Sequence, residues 1–412
     1  MQAVASSLSA NPSLTAYAEA GAQFVPDSHR LTMKYIKLFN LPLTQAEPSS
    51  QASVYHMRGK GVLVNEGIAT DWPLELTPEE KRLGLTGMMR KYIDPVLKEM
   101  GDAAAADWPL QEHEKYDKLT MSEFLRMRGA SPGAVELFRM GYLEINGDGI
   151  DSYSALSGLR DLLLGHGEKD YKIKGGSDLL PKALASELAD KILYGTPVVK
   201  IEHNEKNVRV TFLRAGSHQA VTADHLICAV PFPTLKKIEV SSRFPPDKQK
   251  AIEQLQYTSV TRVYLQVGRK FWQDERLSGE AHIDDPRMDL SPLGIPGERD
   301  IYECFITGPQ AREVMSMRET KRLTYVLEQA QKVLPGLREN FEGGASKSWD
   351  EDEWAKGAWA WYKPGEMASL LPQSSRAEGR VHFAGEHTSA WPGWMQGAFE
   401  SGNRVAKEIN EA

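Results

Sequence analysis

The residues best suited to chemistry are concentrated near the C-terminus, within 381–402. Gly385 follows a short predicted strand at 381–384, and its missing Cβ lets a ligand or another backbone approach closely. Gly393 precedes a helix predicted to run to about Ile409, and free amides at a helix start attract negative charge. The segment therefore indicates a site for a group that gains negative charge. The alternative is a close-packed terminal helix whose glycines and tryptophans are structural.

Helices are predicted to dominate the first half of the chain. Asp27 or Ser28 is suited to cap a helix from about His29 to Phe39. Residues 74–165 are mostly helical in pattern, with Pro and Gly breaks, and two of these helices are each opened by a Thr at a cap position. We interpret 74–165 as an inserted helical region with a structural role.

Strands are predicted mainly in the second half of the chain. A β-hairpin is expected from 198–203 and 208–212, after a helix that begins at Leu179. The apolar run 226–231 is typical of a central strand buried on both faces, and 259–267 alternates between two faces. An amphipathic helix is expected over 320–333. This mixed order favours an α/β or α+β fold with two interleaved regions.

Composition excludes several classes of protein. The 412 residues carry 49 Lys and Arg against 56 Asp and Glu, a net charge of −7, which argues against nucleic acid as the main partner. The sequence has only two cysteines and neither CxxC nor HExxH spacing, so we expect no metal site. Without an apolar run long enough to span a membrane, and without a secretory signal, we expect a cytoplasmic protein.

Seven segments resemble motifs of the flavin-containing amine oxidases and follow one another in the order found in that family. The family includes monoamine, polyamine and L-amino-acid oxidases. The C-terminal segment AGEHTSAWPGWMQGAFESG resembles the family's flavin-binding motif. The others are AEAGAQFVPDSHRLTMKYI, GGSDLLPKALASEL, TPVVKIEH, LICAVP, SVTRVYLQVGRKFW and GAWAWYKPG. The resemblance covers nearly all of the chain from about Tyr17 and implies FAD as the cofactor.

The resemblance also implies a domain arrangement. An FAD-binding doubly wound domain, N-terminally truncated so that its first βαβ unit is absent, is expected at 17–40, 171–235 and 375–412. A substrate domain of antiparallel sheet is expected at 41–170 and 236–374, with the helical insertion at about 74–165. The two domains interleave along the chain, in agreement with the mixed α/β order.

The resemblance assigns roles to individual positions. Trp394 is expected on one side of the substrate amine, and Trp359 is the candidate for the other side, with Trp361 as the alternative. Arg262 aligns with a lysine that holds a water near the reactive nitrogen of the flavin; its alternative is a solvent-facing position at a sheet edge. The cofactor-binding positions are Gly21, Ala22, Gln23 and Phe24 along the ring, Val199 at the adenine, Gly385 and Glu386 near the ribityl and phosphate part, and Gly393, Trp394, Met395, Gln396, Gly397 and Ala398 over the isoalloxazine.

The family reaction transfers a hydride equivalent from the carbon bearing a neutral amine to the flavin, and oxygen reoxidises the flavin to give hydrogen peroxide. Amino-acid oxidases place an arginine at the position of Phe24 to clamp the substrate carboxylate, so Phe24 favours a primary amine or polyamine. L-amino-acid oxidation, with Arg262 as the carboxylate ligand, is the alternative. Ala358 stands where monoamine oxidases have a flavin-bonding cysteine, which predicts a non-covalent flavin.

The largest departure from the family is the absence of a GxGxxG turn from the sequence. The chain is therefore expected to be a fragment, an internally started gene product, or one that receives the dinucleotide-binding half from another chain. A complementing N-terminal chain and a homodimer are the protein partners considered. A non-catalytic subunit is the hypothesis from a different functional class.

Overall fold

A computed structural model describes residues 3–5, 17–46, 49–65, 67–105, 108–109 and 111–411. In this part of the chain the strands are β1 (Ala3–Ala5), β2 (Tyr17–Glu19), β3 (Val25–Pro26), β4 (Leu43–Gln45), β5 (Ala52–Met57), β6 (Lys60–Val64), β7 (Asp170–Ile173), β8 (Val198–His203), β9 (Val208–Arg214), β10 (Ser217–Ala223), β11 (Leu226–Cys228), β12 (Glu239–Val240), β13 (Gln256–Tyr257), β14 (Val260–Val267), β15 (Leu277–Ile283), β16 (Met288–Pro292), β17 (Asp300–Thr307), β18 (Phe341–Ser348), β19 (Ala360–Trp361) and β20 (Val381–Phe383).

The helices of the described residues lie between and after these strands, in several places two or more in succession. They are α1 (Arg30–Leu38), α2 (Pro78–Tyr92), α3 (Asp94–Glu99), α4 (Glu114–Asp117), α5 (Met121–Met127), α6 (Pro132–Phe138), α7 (Ala155–Leu164), α8 (Leu179–Glu187), α9 (Phe232–Leu235), α10 (Pro246–Gln254), α11 (Gly308–Ser316), α12 (Glu319–Ala330), α13 (Gly336–Asn340), α14 (Met367–Ser375) and α15 (Met395–Asn410). Short 3₁₀ turns lie at Gln111–His113, Tyr142–Ile145, Ala189–Lys191, Phe271–Glu275 and Glu386–Thr388. No helix in the described ranges is both long and apolar enough to cross a membrane.

The mixed α/β fold predicted from the sequence is confirmed. The largest sheet has the strand order β18-β14-β17-β16-β15-β5-β6, and all its neighbours are antiparallel except β15 and β5. A second sheet has the order β10-β9-β8-β12, a third the order β3-β7-β4, and β11 pairs in parallel with β20. The division into two interleaved domains remains a prediction.

Local sequence signals account for several elements. Thr77 and Glu80 form a capping box at the start of α2, and Thr120 with Glu123 does the same for α5. Each pair satisfies two backbone N–H groups that would otherwise lack partners at a helix start. The predicted hairpin is also present, as β8 and β9, with the second strand extended to Arg214. These predictions succeed because the interacting groups are close in the sequence.

The prediction for the start of α1 is wrong. Asp27 instead accepts a hydrogen bond from the Glu168 amide, and the Ser28 hydroxyl donates to the His166 carbonyl. The free amides of Leu31 and Thr32 donate to the Gln396 side-chain oxygen, at 3.0 and 3.1 Å. A residue of α15, about 365 positions further along the chain, therefore caps α1.

Burial differs from the prediction at 226–231. The run is not buried on both faces, because Ile227 in β11 is 48% exposed while its neighbour Cys228 is buried. On α15 the buried residues are Met395, Gln396, Gly397, Ser401 and Val405, whereas Ala398, Gly402 and Ala406 are exposed. The buried face of α15 therefore includes Gln396, whose side chain caps α1.

Candidate active site

The start of α15 is built from a loop with two glycines in the left-handed region. Gly385 has φ of 119° and Gly393 has φ of 81°, conformations that side chains with a Cβ rarely adopt. Trp394 is the N-cap residue of α15, and its side chain makes no capping hydrogen bond. Because Gly393 is exposed and Trp394 half-buried, this helix start is not sealed inside the protein.

Three of the predicted cofactor-binding residues use their side chains or small size for packing. Met395 is buried in a cluster with Val25 and Ile36. The side chain of Gln396 caps α1, as described above, so that its oxygen is already engaged. A Cβ at Gly397 would lie 2.3 Å from the Trp391 carbonyl oxygen, so glycine is required by the close loop. At this end of the helix, Gly393 and Ala398 are exposed and Trp394 is half-buried.

Two tryptophans flank the exposed glycine. A Cβ built on Gly393 would lie 3.2 Å from Cγ of Trp359, and Trp394 is the next residue in the chain. The Trp359 indole N–H donates to Asn146 Oδ1 at 3.0 Å, and the Trp394 indole N–H donates to Asp161 Oδ1 at 3.2 Å. Trp361 is buried and packs against Gly147, so the candidate pair is Trp359 and Trp394.

His29 lies beside Trp394 on the side of α1. The two rings meet edge to face with centroids 4.8 Å apart, and a ring nitrogen of His29 lies 3.1 Å from the Leu164 carbonyl oxygen. Burial lowers the pKa of His29 to about 4, so the imidazole is neutral near pH 7. The wall behind Trp394 is therefore aromatic and uncharged on this side.

Glu386 anchors the loop that precedes α15. Its carboxylate accepts a hydrogen bond from the Gly393 amide at 2.7 Å. Burial raises the pKa of Glu386 to about 7, against the opposing effect of hydrogen bonds from the amides of Gly393 and Ala360. Near neutral pH this carboxyl group is therefore a mixture of the two protonation states, and it can either accept or donate a hydrogen bond.

Arg262 is buried on β14 of the largest sheet, between β18 and β17, so the alternative of a solvent-facing position is wrong. Its Nη1 donates to the Glu19 carbonyl at 2.8 Å and pairs with Glu303 at 2.9 Å, while the guanidinium stacks on Phe305. Burial lowers the pKa of Arg262, but Glu303, Tyr264 and Glu19 together raise it more, so the side chain remains charged. The positive charge is therefore held against the backbone carbonyl of Glu19.

The segment at 20–24 runs over this charged pair. The Trp349 indole N–H donates to the Ala20 carbonyl at 2.7 Å, and the side-chain amide of Gln23 donates to the Glu303 carboxylate at 2.5 Å. A Cβ at Gly21 would lie 3.3 Å from the Trp349 ring. These contacts fix the backbone of Gly21, Ala22 and Gln23, which are all half-buried, between Arg262 and α1.

Phe24 ends this segment and is 37% exposed. It directly precedes β3, and the Lys172 ammonium lies 5.0 Å from the centroid of the phenyl ring. Position 24 therefore carries a partly exposed aromatic ring with a lysine ammonium close to it.

Val199 lies in the four-stranded sheet, away from α15. The pairing of β8 with β9 shifts register between Val198 and Lys200, so Val199 has no direct partner on β9. Such an irregularity leaves the backbone of the extra residue outside the ladder. Its peptide groups are therefore suited to bind an external partner.

Sequence reasoning missed the polar residues of the helical region that meet the tryptophans. Asp161 on α7 and Asn146 before it belong to the block at 74–165 that was interpreted as structural. The available signal was an acidic residue within the apolar helix sequence GLRDLLLG. Its significance depends on a tryptophan 233 residues away, which no local pattern reveals.

Comparison with known proteins identifies the family of this chain. A sequence model of the family described as flavin containing amine oxidoreductase matches residues 6–410. The putative L-amino-acid oxidase YobN of Bacillus subtilis (strain 168) is 30% identical over 407 residues, which cover 96% of this chain and 84% of YobN. Cyclohexylamine oxidase from Brevibacterium oxydans IH-35A has a similar fold, with a TM-score of 0.79, 20% identity and coverage of 96% of this chain and 88% of that chain. Putrescine oxidase in complex with putrescine has a TM-score of 0.80, 19% identity and coverage of 97% and 89%.

Proposed function

Since this chain belongs to the flavin-containing amine oxidoreductase family, we propose that it oxidises a primary amine or polyamine with non-covalently bound FAD. When bound, the flavin accepts the hydride equivalent from the carbon bearing the amine, and oxygen then reoxidises it to give hydrogen peroxide. The family match gives the flavin chemistry. The substrate class and the individual site residues are the proposed part.

The residues present fit a flavin at the start of α15. The uncapped helix start offers backbone amides to the electron-rich side of the ring, and Gly393 is exposed where a side chain would otherwise project. Glu386, with its raised pKa, is suited to hydrogen-bond a hydroxyl of the ribityl part. Val199, outside its ladder, offers peptide groups to the adenine. Gly21, Ala22 and Gln23 would line the ring, above the charge of Arg262.

Trp359 and Trp394 would form the walls that receive the amine. Aromatic walls exclude water, and loss of water disfavours the charged ammonium relative to the neutral amine that reacts. The hydrogen bonds to Asn146 and Asp161 fix the two rings, so that the amine is held in one orientation. Arg262 would keep a positive charge near the ring, supported by Glu303.

The observation that carries the choice of an amine over an amino acid is the environment of Phe24. A substrate carboxylate needs a cationic partner when it leaves water. Phe24 offers only a phenyl ring, and Arg262, the other candidate ligand, already pairs with Glu303 and bonds to the Glu19 carbonyl. A plain amine does not require such a partner.

One observation favours the second candidate function, L-amino-acid oxidation. The Lys172 ammonium lies 5.0 Å from the Phe24 centroid, at the end of the 20–24 segment. A lysine in this position can bind a carboxylate as a point charge, although without the two-pronged geometry of arginine. The relative YobN, named a putative L-amino-acid oxidase, agrees with this alternative.

The test is purification with FAD followed by an absorbance scan and a peroxide assay. Under the proposal the protein shows the visible bands of an oxidised flavin, which bleach when an amine is added without oxygen. The panel should contain cyclohexylamine, putrescine and L-amino acids matched in side chain to simple amines. A folded, colourless protein that takes up no FAD would contradict the activity, whereas peroxide from amino acids but not from amines would select the alternative.

A further inference from the structure

One face of the largest sheet carries a row of polar and aromatic side chains. The pairing of β14, β17, β16, β15 and β5 places the members of this row directly opposite one another; they are Arg262, Phe305, Asp289, His282 and Tyr55. Residues paired in this way project from the same face of a sheet. Because neighbouring strands lie about 4.8 Å apart, the Arg262–Tyr55 row extends over about 19 Å.

The opposite face of the same strands is closed by the protein core. Its residues alternate with those of the row and are all buried in one apolar cluster; they are Val263, Cys304, Leu290, Ala281 and Val54. The row itself is half-buried from Phe305 to Tyr55. At its other end Arg262 donates to the Glu19 carbonyl at 2.8 Å, directly before the segment at 20–24. The row is therefore suited to be the floor of a substrate pocket that begins at the proposed position of the flavin ring.

Asp289, two strands away from Arg262, already has partners. Its Oδ1 accepts hydrogen bonds from Arg287 Nη1 at 2.5 Å and from His282 Nδ1 at 2.6 Å. Burial raises the pKa of Asp289, but Arg287 and His282 together lower it to about 2, so the carboxylate is ionised near pH 7. Arg287 is itself held in place, because its Nε donates to the Arg139 carbonyl at 3.1 Å. The negative charge of Asp289 is therefore balanced by an arginine.

Glu303, on the same face of the sheet, is balanced in the same way. It lies two residues from Phe305 along β17, so both side chains project to the same side. Its carboxylate pairs with Arg262 at 2.9 Å and accepts a hydrogen bond from the side-chain amide of Gln23. Both carboxylates at this floor thus have an arginine as counter-charge.

The other members of the row are mainly aromatic. The Arg262 guanidinium lies 5.0 Å from the centroid of the Phe305 ring. The Tyr55 ring lies 4.4 Å from the His282 ring and meets the Trp72 ring edge to face, with centroids 5.2 Å apart. Apart from its balanced ion pairs, the row therefore offers a substrate an aromatic surface.

We propose that the Arg262–Tyr55 row selects a primary amine with one ammonium group and an apolar body, and disfavours diamines and polyamines. The inference rests on the proposed function, because that function places the reacting amine beside the flavin ring. The second ammonium of a diamine would leave water along the row, and a charge that leaves water is costly without a partner. Asp289 and Glu303 do not serve as partners, since each already pairs with an arginine. An apolar chain needs no partner and gains free energy when it is buried.

The first measurement is peroxide release by the FAD-loaded wild type with matched substrates. The pairs are butylamine with putrescine and hexylamine with hexamethylenediamine, which differ within each pair only in the distal ammonium. We expect kcat/KM to be at least about tenfold higher for the amine with one ammonium in each pair, because the distal charge has no partner. A higher kcat/KM for either diamine would overturn the proposal.

The variant that tests the floor is Arg287→Met, which removes the counter-charge of Asp289. We expect it to raise the ratio of kcat/KM for hexamethylenediamine to that for hexylamine by about 10- to 100-fold, the range of a hydrogen bond between charged groups. Arg287→Met/Asp289→Asn should return the ratio to near the wild-type value. The matched control is Arg209→Met, which removes an arginine from its ion pair with Glu202 in the four-stranded sheet and should leave the ratio unchanged. An unchanged ratio in Arg287→Met would overturn the role of the row.

If Arg287→Met does not fold, Asp289→Asn replaces it. This variant leaves Arg287 without its carboxylate partner, so the distal carboxylate of aminocaproic acid can take that place. The ratio of kcat/KM for aminocaproic acid to that for hexylamine should then rise by about tenfold or more. A ratio equal to that of the wild type would reject the assignment of Asp289 to the floor.

Thermal unfolding separates this proposal from the proposed function, because it needs no turnover. In the full chain, with and without FAD, hexylamine should raise the Tm of the wild type more than hexamethylenediamine does, and Arg287→Met should reverse that order. If the wild type takes up FAD but oxidises no amine, the proposed function fails, while the order of the Tm shifts still decides the selectivity of the row. Equal shifts with both amines, or no shift with either, would overturn that selectivity.

Discussion

At the scale of single residues, the proposed choice of substrate rests on the side chain at position 24. Phe24 is 37% exposed, and the ammonium of Lys172 lies 5.0 Å from the centroid of its ring. An arginine at position 24 would supply a bidentate partner for a carboxylate, which a lysine cannot do. The difference between the two proposed substrate classes therefore reduces to one side chain.

We predict that Phe24→Arg shifts the preference from amines toward the matched L-amino acids by about 10- to 100-fold in the ratio of kcat/KM, as expected for a charge-assisted bond worth about 1.5–3 kcal/mol. The measurement is peroxide release with an amine and its matched amino acid. Phe24→Leu is the control, since it removes the ring without adding charge. An unchanged ratio in Phe24→Arg would show that position 24 does not meet the substrate.

Glu386 gives a prediction about pH. Its pKa is raised to about 7 in the folded protein, so it costs folding free energy where it must ionise: this cost is absent below about pH 4.5 and complete above about pH 7. The free energy of unfolding of Glu386→Gln minus that of the wild type should therefore increase by about 1–3 kcal/mol from pH 4.5 to pH 8. Denaturant unfolding of the flavin-free protein at both pH values measures the change.

The control for that experiment is Glu168→Gln, which removes an exposed carboxylate. Its difference from wild type should stay nearly constant over the same pH range. A Glu386→Gln difference that is equally flat would show that Glu386 is not desolvated in the folded protein.

At the scale of elements, the loop before α15 and the turn that carries Trp359 must meet closely. Gly393 provides both the left-handed backbone and the missing Cβ that this contact requires. Gly365 has the same φ of 81° but nothing within 4 Å of its Cβ position. Substitutions at the two glycines therefore distinguish the effect of backbone strain from the effect of a steric contact with Trp359.

We predict that Gly393→Ala lowers kcat/KM for the amine by about tenfold or more, because it adds displacement of Trp359 to the left-handed strain of about 1–2 kcal/mol. Gly365→Ala should show the strain alone, as a similar loss of stability with unchanged activity. Thermal unfolding and peroxide release measure the two effects. Equal activity of both variants would mean that Trp359 does not contribute to the pocket.

At the scale of the whole molecule, the proposed flavin positions are spread over elements far apart in sequence. Segment 20–24, β8 and the start of α15 belong to different sheets and helices, so one bound FAD would tie them together. A ligand that binds only the folded state stabilises it by mass action.

We predict that FAD raises the Tm, by an amount equivalent to about 2.7 kcal/mol at a concentration of 100 times the Kd. Riboflavin, which lacks the adenine nucleotide, should raise it less, because it cannot reach Val199. Thermal scans with each ligand over a range of concentrations provide the measurement. A Tm that does not respond to FAD at any concentration would contradict binding of FAD by this chain.

The features that could be predicted from the sequence are those whose causes are local. The capping boxes at Thr77 and Thr120 and the β8–β9 hairpin follow from residues only a few positions apart. The family, and with it the flavin chemistry, was evident from motifs in a fixed order. Such features can be predicted from the sequence because residues that are neighbours in the chain are also neighbours in space.

The hydrogen bonds that hold the candidate site together are visible only in the folded protein. The side-chain oxygen of Gln396 caps α1, Arg262 is buried beside Glu303, and Asp161 accepts a hydrogen bond from Trp394. A hydrogen-bond donor and its acceptor can satisfy each other across hundreds of residues, and burial then makes that pairing obligatory. No spacing rule within one segment can indicate which distant group will be the partner.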